Sequence, residues 1–175
     1  MKLITLEYLE KRGACCLDDP ELMKKIKRKL PATPLDVCRG KIVPGEDKLW
    51  LLLHEDFIPK NDLFLLACDF AEHVLHIFED KYPEDMRPRN AIEARRGWVA
   101  GIVSDEELKE ATWAAWDAST KCDSWDVSVA RAARAASAAS VASAASVARA
   151  MNYAADEQKW QFMKLKEYFK NGVKL

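Results

Sequence analysis

The chain lacks most of the signals from which an enzyme would be read. No G-x-S-x-G elbow, no phosphate-cradling P-loop glycine pattern and no H-E-x-x-H zinc pair occurs in its 175 residues, so three common routes to catalysis have no residues to run on. Cysteine occurs five times, at Cys15, Cys16, Cys38, Cys68 and Cys122. An odd count without C-x-x-C spacing reads as reduced cytosolic thiols and not as a disulfide framework. A dominant charge is missing too. Net charge is −1 with 31% charged residues, so the basic footprint of a nucleic-acid binder is absent. No apolar run is long enough to span a bilayer. The opening MKLITLEYLEKRG breaks its apolar stretch with charges and offers no small-residue cleavage site. The expectation is a soluble cytoplasmic protein with no membrane partner, and nucleic acid is not its expected partner.

What is present is helix. A chain this long buries roughly 70% of the surface its unfolded form exposes, so it needs no metal or disulfide to fold. Thr5 is placed to cap a short helix ending before Gly13. Asp19-Pro20 opens the basic helix PELMKKIKRKL, and Thr33-Pro34 opens another that Gly40 stops. EDKLWLLLH, Glu46 to His54, reads as a further helix. Asn61 is the expected cap of the next. In it Leu63, Leu66, Ala67, Phe70, Val74, Ile77 and Phe78 recur at three- and four-residue spacing up to Lys81. Arg87-Pro88 starts RPRNAIEARRGWVAG, with Gly101 just beyond its end, and Ser104 with Glu107 forms a capping box for the helix carrying Trp113 and Trp116.

From about Ser124 the chain turns alanine-rich, with no proline or glycine before Gly172. Serines 137, 140, 143 and 146 recur every three residues. A helix turns every 3.6, so they wander around its surface and form no stripe. Small residues on all sides let neighbouring helices approach closely. An unbroken helix from Ser124 to Lys170 would be about 70 Å long, against roughly 40 Å for a compact domain of this size. A break near Asn152 to Asp156 is expected. The fold class is therefore all-α: a compact multi-helix bundle with a small N-terminal helical module, 1–58, and a helical domain with the alanine-rich helices, 59–175.

The densest polar constellation spans two consecutive helices. ACDFAEHVLHIFED carries Asp69, Glu72, His73, His76, Glu79 and Asp80, and RPRNAIEARR carries Arg87, Arg89, Glu93, Arg95 and Arg96. The short link EDKYPEDM makes the helices antiparallel neighbours, so opposite charges can meet. Three readings stand: a salt-bridge network that fixes packing, an anion or nucleotide pocket with Arg87 and Arg89 at a helix N-terminus, and a metal site at His73 and His76. The second helix supplies no E-x-x-H to complete a metal pair, and no metal or cofactor is expected. Cys68, near His73, lies in an apolar run where burial would raise its pKa. Trp113 and Trp116 are expected to pack against the alanine helix. Trp50, Trp98 and Trp160 are expected on apolar faces, Trp125 near a helix start is the one expected to be open to solvent, and KKIKRK is expected to form a solvated face.

The pairs Cys68-Asp69 and Ala71-Glu72, the runs Arg87-Pro88-Arg89 and Ala91-Ile92-Glu93-Ala94, and Trp98 carry a resemblance. With the tryptophan- and alanine-rich stretch behind them, the chain resembles the alanine-rich "putative immunity protein" family of bacteria and phages. LEKRGACC and KLWLLL resemble the phage-encoded members. The resemblance implies a helical, non-enzymatic protein of a phage or mobile element that binds and inhibits a toxin or host-defence effector. Gly97 stands where that family tends to keep alanine, which would loosen its helix. Asp69, Glu72, Arg87, Arg89, Glu93 and Arg96 are the expected partner-binding residues. Two alternatives remain: a sponge for a nucleotide-like small molecule with an Arg-lined pocket, and a structural or assembly protein that forms a homo-oligomer.

Overall fold

The computed structural model describes residues 2–120 and 155–171. It is an all-α bundle, and among the described residues the only β-type pairing is one antiparallel bridge between Ile4 and Ala32. The N-terminal helices are α1 (Leu6–Lys11), α2 (Pro20–Lys27), α3 (Pro34–Arg39) and α4 (Gly45–Leu52). Each expected cap is in place. Thr5 Oγ1 accepts from the Tyr8 amide, Asp19 Oδ1 from the amides of Glu21 and Leu22, and Thr33 forms a reciprocal box with Asp36. These side chains satisfy amides that a helix start leaves without partners.

The helices that follow are α5 (Lys60–His73), the single-turn α6 (His76–Glu79), α7 (Arg87–Val99), α8 (Asp105–Thr120) and α9 (Ala155–Asn171). Two expectations fail at α5. The helix starts one residue before Asn61, because the Pro59 carbonyl already takes the Leu63 amide, and Asn61 lies exposed in its first turn. Nor does it run unbroken to Lys81. Past His73 the amides of Leu75, Ile77 and Phe78 bond three residues back, to Glu72, Val74 and Leu75. This tighter turn advances each residue further around the axis. Phe78 stays fully buried, while Ile77 is turned out to 36% exposure. The Ser104–Glu107 box opens α8 as expected, and Gly101 ends α7 at a φ of 74°.

One apolar cluster holds the described residues together. It runs from Ile4 and Leu9 through Leu49, Leu52 and Ile58 to the buried face of α5, and on to Ile92, Leu165 and Tyr168. Each fully buried Leu, Ile or Phe contributes about 1.5–3 kcal/mol of transfer free energy. α9 closes the bundle across the N-terminal helices: it packs on α3, and the side-chain amide of Gln158 lies against Gly45, where a Cβ would displace it. Tyr168 donates to Asp62 at 2.6 Å, which pins α9 to α5 as well. No described helix is long and apolar enough to cross a membrane. The alanine-rich tract and Trp125 lie outside the described residues, as does all but the far side of the expected break near Asn152.

Candidate functional site

Helix α7 sorts the predicted residues by its own periodicity. Arg89, Glu93 and Arg96 follow at i, i+4 and i+7 and so share one stripe. Arg87 lies nine residues before Arg96, about half a turn round the axis. The stripe faces α5 and α6. Arg96 Nη2 donates to Asp69 at 2.9 Å and to Glu72 at 2.6 Å. Arg89 holds both oxygens of Glu79, with its Nη2 at 2.7 Å from Oε2, and its Nη1 lies 3.8 Å from Glu72. The earlier Arg89 thus pairs with Glu79 beyond the end of α5 and the later Arg96 with Asp69 and Glu72 inside it, as antiparallel neighbours must. Glu93 is exposed beside Arg89 and makes no hydrogen bond among the described residues. The hydrogen bond to Glu79 lifts the Arg89 guanidinium further above its ordinary range.

Arg87 is separate from this seam. It reaches Asp85 through Nε at 2.7 Å and Asp117 of α8 through Nη1 at 2.5 Å. Asp85 Oδ1 also accepts the Arg87 amide, so the positive end of α7 already holds a carboxylate of the chain itself. The hydrogen bonds to Asp85 above all, with those to Asp117, hold this guanidinium well above its ordinary range. The six expected residues therefore form two groups, a seam between α5 and α7 and a bracket between α7 and α8.

The bracket adjoins a pair of tryptophans. Trp113 and Trp116 are 59% and 43% exposed; the alanine helix against which they are expected to pack lies outside the described residues. The face that α8 buries is made by Leu108, Ala115, Ala118 and Ser119, and helical geometry turns both indoles away from it. They meet edge to face at 5.6 Å. Trp113 is four residues before Asp117, so the indole pair and the Arg87–Asp117 bracket are neighbours on the surface.

The histidines have local tasks. His73 stacks on Trp160 and its Nδ1 lies 2.6 Å from Glu157, while His76 Nδ1 lies 3.2 Å from the His73 carbonyl. No metal-ligating cluster occurs among the described residues. Cys68 is fully buried, and burial pushes its thiol up to about 12, which removes the nucleophilic form near neutral pH. Beside it Arg95 is fully buried over the rings of Phe64 and Trp98, at 4.3 and 4.8 Å. Desolvation pulls its pKa down from the usual guanidinium value. Gly97 has a packing reason that the resemblance did not supply: a Cβ there would stand 2.6 Å from Val103 Cγ2, so its absence lets the α7–α8 turn fold back.

Comparison with protein families matches residues 57–167 to the Imm-5 like putative immunity protein family. The chain belongs to that family. The Imm-5 like segment contains the seam, the bracket and the indole pair, while α1 to α4 precede it. No curated protein and no solved structure matches the chain. Within the Imm-5 like segment, sequence reasoning placed Glu79 in the charged constellation but passed over Asp85 and Asp117 as partners, and Glu157 and Trp160 as the seat of His73. The capping position of Asp85 before Arg87 was the one local signal available.

Proposed function

We propose that the chain is a non-enzymatic binding protein, carried by a phage or mobile element, that occupies and neutralises a toxin or host-defence effector. The observation that carries this reading is the exposed indole pair, Trp113 and Trp116, beside the Arg87–Asp117 bracket. Tryptophan and arginine are the residues on which protein interfaces concentrate their binding energy. Two neighbouring indoles left in water are costly to keep unless something covers them. Membership of an immunity-type family supports a protein as that partner. In this reading the Asp69–Glu72–Arg89–Arg96 seam sets the position of α7, and through it the pose of α8, with exposed Glu93 and Glu72 as polar contacts at the margin. A nucleotide at Arg87 and Arg89 would have to displace Asp85, Asp117 and Glu79, which makes the protein partner the better-supported choice.

The test is co-expression of the chain with each toxin-class protein encoded in the same genome. A stoichiometric complex that restores growth is expected with one of them. The double variant Trp113→Ser/Trp116→Ser should weaken that complex by about 30-fold or more without lowering the melting temperature. Failure to protect against any effector, or protection that survives the double variant, overturns the proposal.

A further inference from the structure

Ahead of the family-matched segment, the N-terminal helices enclose a cavity of about 920 Å³, within the roughly 300–1,000 Å³ usual for small-ligand pockets. Its inner wall is aliphatic. Ile4, Leu9, Ile26 and Leu51 line it and are all buried. Its outer lining is basic, with Lys29, Arg39 and Lys41 all exposed.

The acidic residues of the lining are already engaged. Asp36 Oδ2 accepts from the Thr33 amide and hydroxyl in the box that caps α3. Asp47 Oδ1 accepts from the Cys15 thiol at 3.6 Å. Lys48 is likewise occupied, donating to the Gly40 carbonyl at 2.6 Å. Lys29, Arg39 and Lys41, by contrast, have no ion pair among the described residues. Three cations without an ion pair therefore border an aliphatic interior, Arg39 among them lying near enough to Asp36 to help lower its carboxyl pKa. That interior offers few polar groups to read a base or a sugar, and a hydrocarbon chain is what such a wall accepts at least cost.

We propose that this cavity binds a free medium-chain fatty acid, with the acyl chain among Ile4, Leu9, Ile26 and Leu51 and the carboxylate at Lys29, Arg39 and Lys41. The assignment is independent of the indole patch and of the toxin-binding reading, since the two sites share no residue.

Calorimetric titration of the full chain with octanoate, decanoate and dodecanoate below their micellar concentrations tests it. Each two-carbon step should tighten binding by about tenfold. Dodecanol, equally long but uncharged, should bind at least tenfold more weakly than dodecanoate. The exposed-site variant Lys29→Gln/Arg39→Gln/Lys41→Gln should bring dodecanoate down to the level of dodecanol. A single Lys41→Gln serves if the triple variant melts early, with a smaller loss of the same sign. Cys15 and Cys16 also line the cavity, so saturating dodecanoate should slow their alkylation, read by peptide mass mapping. Absence of binding, affinity independent of chain length, equal affinity for dodecanol, or unprotected Cys15 and Cys16 would each overturn the proposal.

Discussion

His73 lies flat on Trp160, with ring centroids 3.7 Å apart and 16° between the planes. The two residues stand 87 positions apart, and their contact ties the end of α5 to the first turns of α9. The same imidazole reaches Glu157 at 2.6 Å, a carboxylate only 6% exposed that also accepts from Gln161 at 3.1 Å.

His73→Ala removes the stack and leaves Glu157 with Gln161 as its remaining side-chain donor. An aromatic stack is worth about 0.5–1.5 kcal/mol, and an under-satisfied buried acceptor costs about 1–3 kcal/mol. The expected loss is about 2–4 kcal/mol in urea unfolding. Adding Glu157→Gln should recover part of it, because the buried charge is gone; no recovery would separate the stack from the carboxylate.

Arg96→Ala should cost little by comparison. Its partners Asp69 and Glu72 share a half-exposed guanidinium, and such pairs are worth about 0–1 kcal/mol each. A destabilisation near 1 kcal/mol that shrinks in 1 M salt is expected. A loss of several kcal/mol would mean that the seam carries the packing of α7 on α5.

Gly97→Ala sets two effects against each other. Alanine gains up to about 1 kcal/mol of helix propensity, but its Cβ would stand 2.6 Å from Val103 Cγ2, and overpacking typically costs about 1–3 kcal/mol. Net destabilisation is expected in the single variant. Gly97→Ala/Val103→Ala should be more stable than Gly97→Ala alone, measured by thermal melting.

Acid should weaken the fold through three hydrogen-bonded carboxylates. Hydrogen bonds from Thr33 hold Asp36 below its ordinary 3.8, those from Ser104 hold Glu107 below 4.5, and those from Lys2 and Tyr8 hold Asp56 below 3.8. As pH falls, the unfolded chain takes up these protons first, so stability is fully present above about pH 5 and is lost as pH drops through the depressed folded values. Melting temperatures from pH 6 to 2 should follow that course. Thr33→Ala with Ser104→Ala should flatten it.

Much of the helical plan was legible in order because its signals act within a few residues. Thr5, Asp19, Thr33 and Ser104 cap helices with amides two or three positions ahead, and Gly101 needs only its own positive φ. Asn61 was misread because Pro59 takes the cap position two residues earlier and the helix begins at Lys60. The break after His73 also escaped periodicity, since a tightened turn keeps apolar spacing while shifting which residues face inward. The predicted charged residues were the right ones to notice, yet their grouping was not in the spacing of each helix alone. Half a turn of α7 sends Arg87 to α8 and Arg96 to α5.

By itself, then, the sequence determined an all-α chain, the starts of most of its helices, and a thiol in Cys68 too apolar in setting to react. Tertiary structure decided which carboxylate each guanidinium holds, why Gly97 has no side chain, and that Trp113 and Trp116 face water while His73 finds Trp160. The reason is range. Capping and periodicity are settled by backbone groups a turn apart, whereas burial and ion pairing depend on which helix faces come together after the chain has folded.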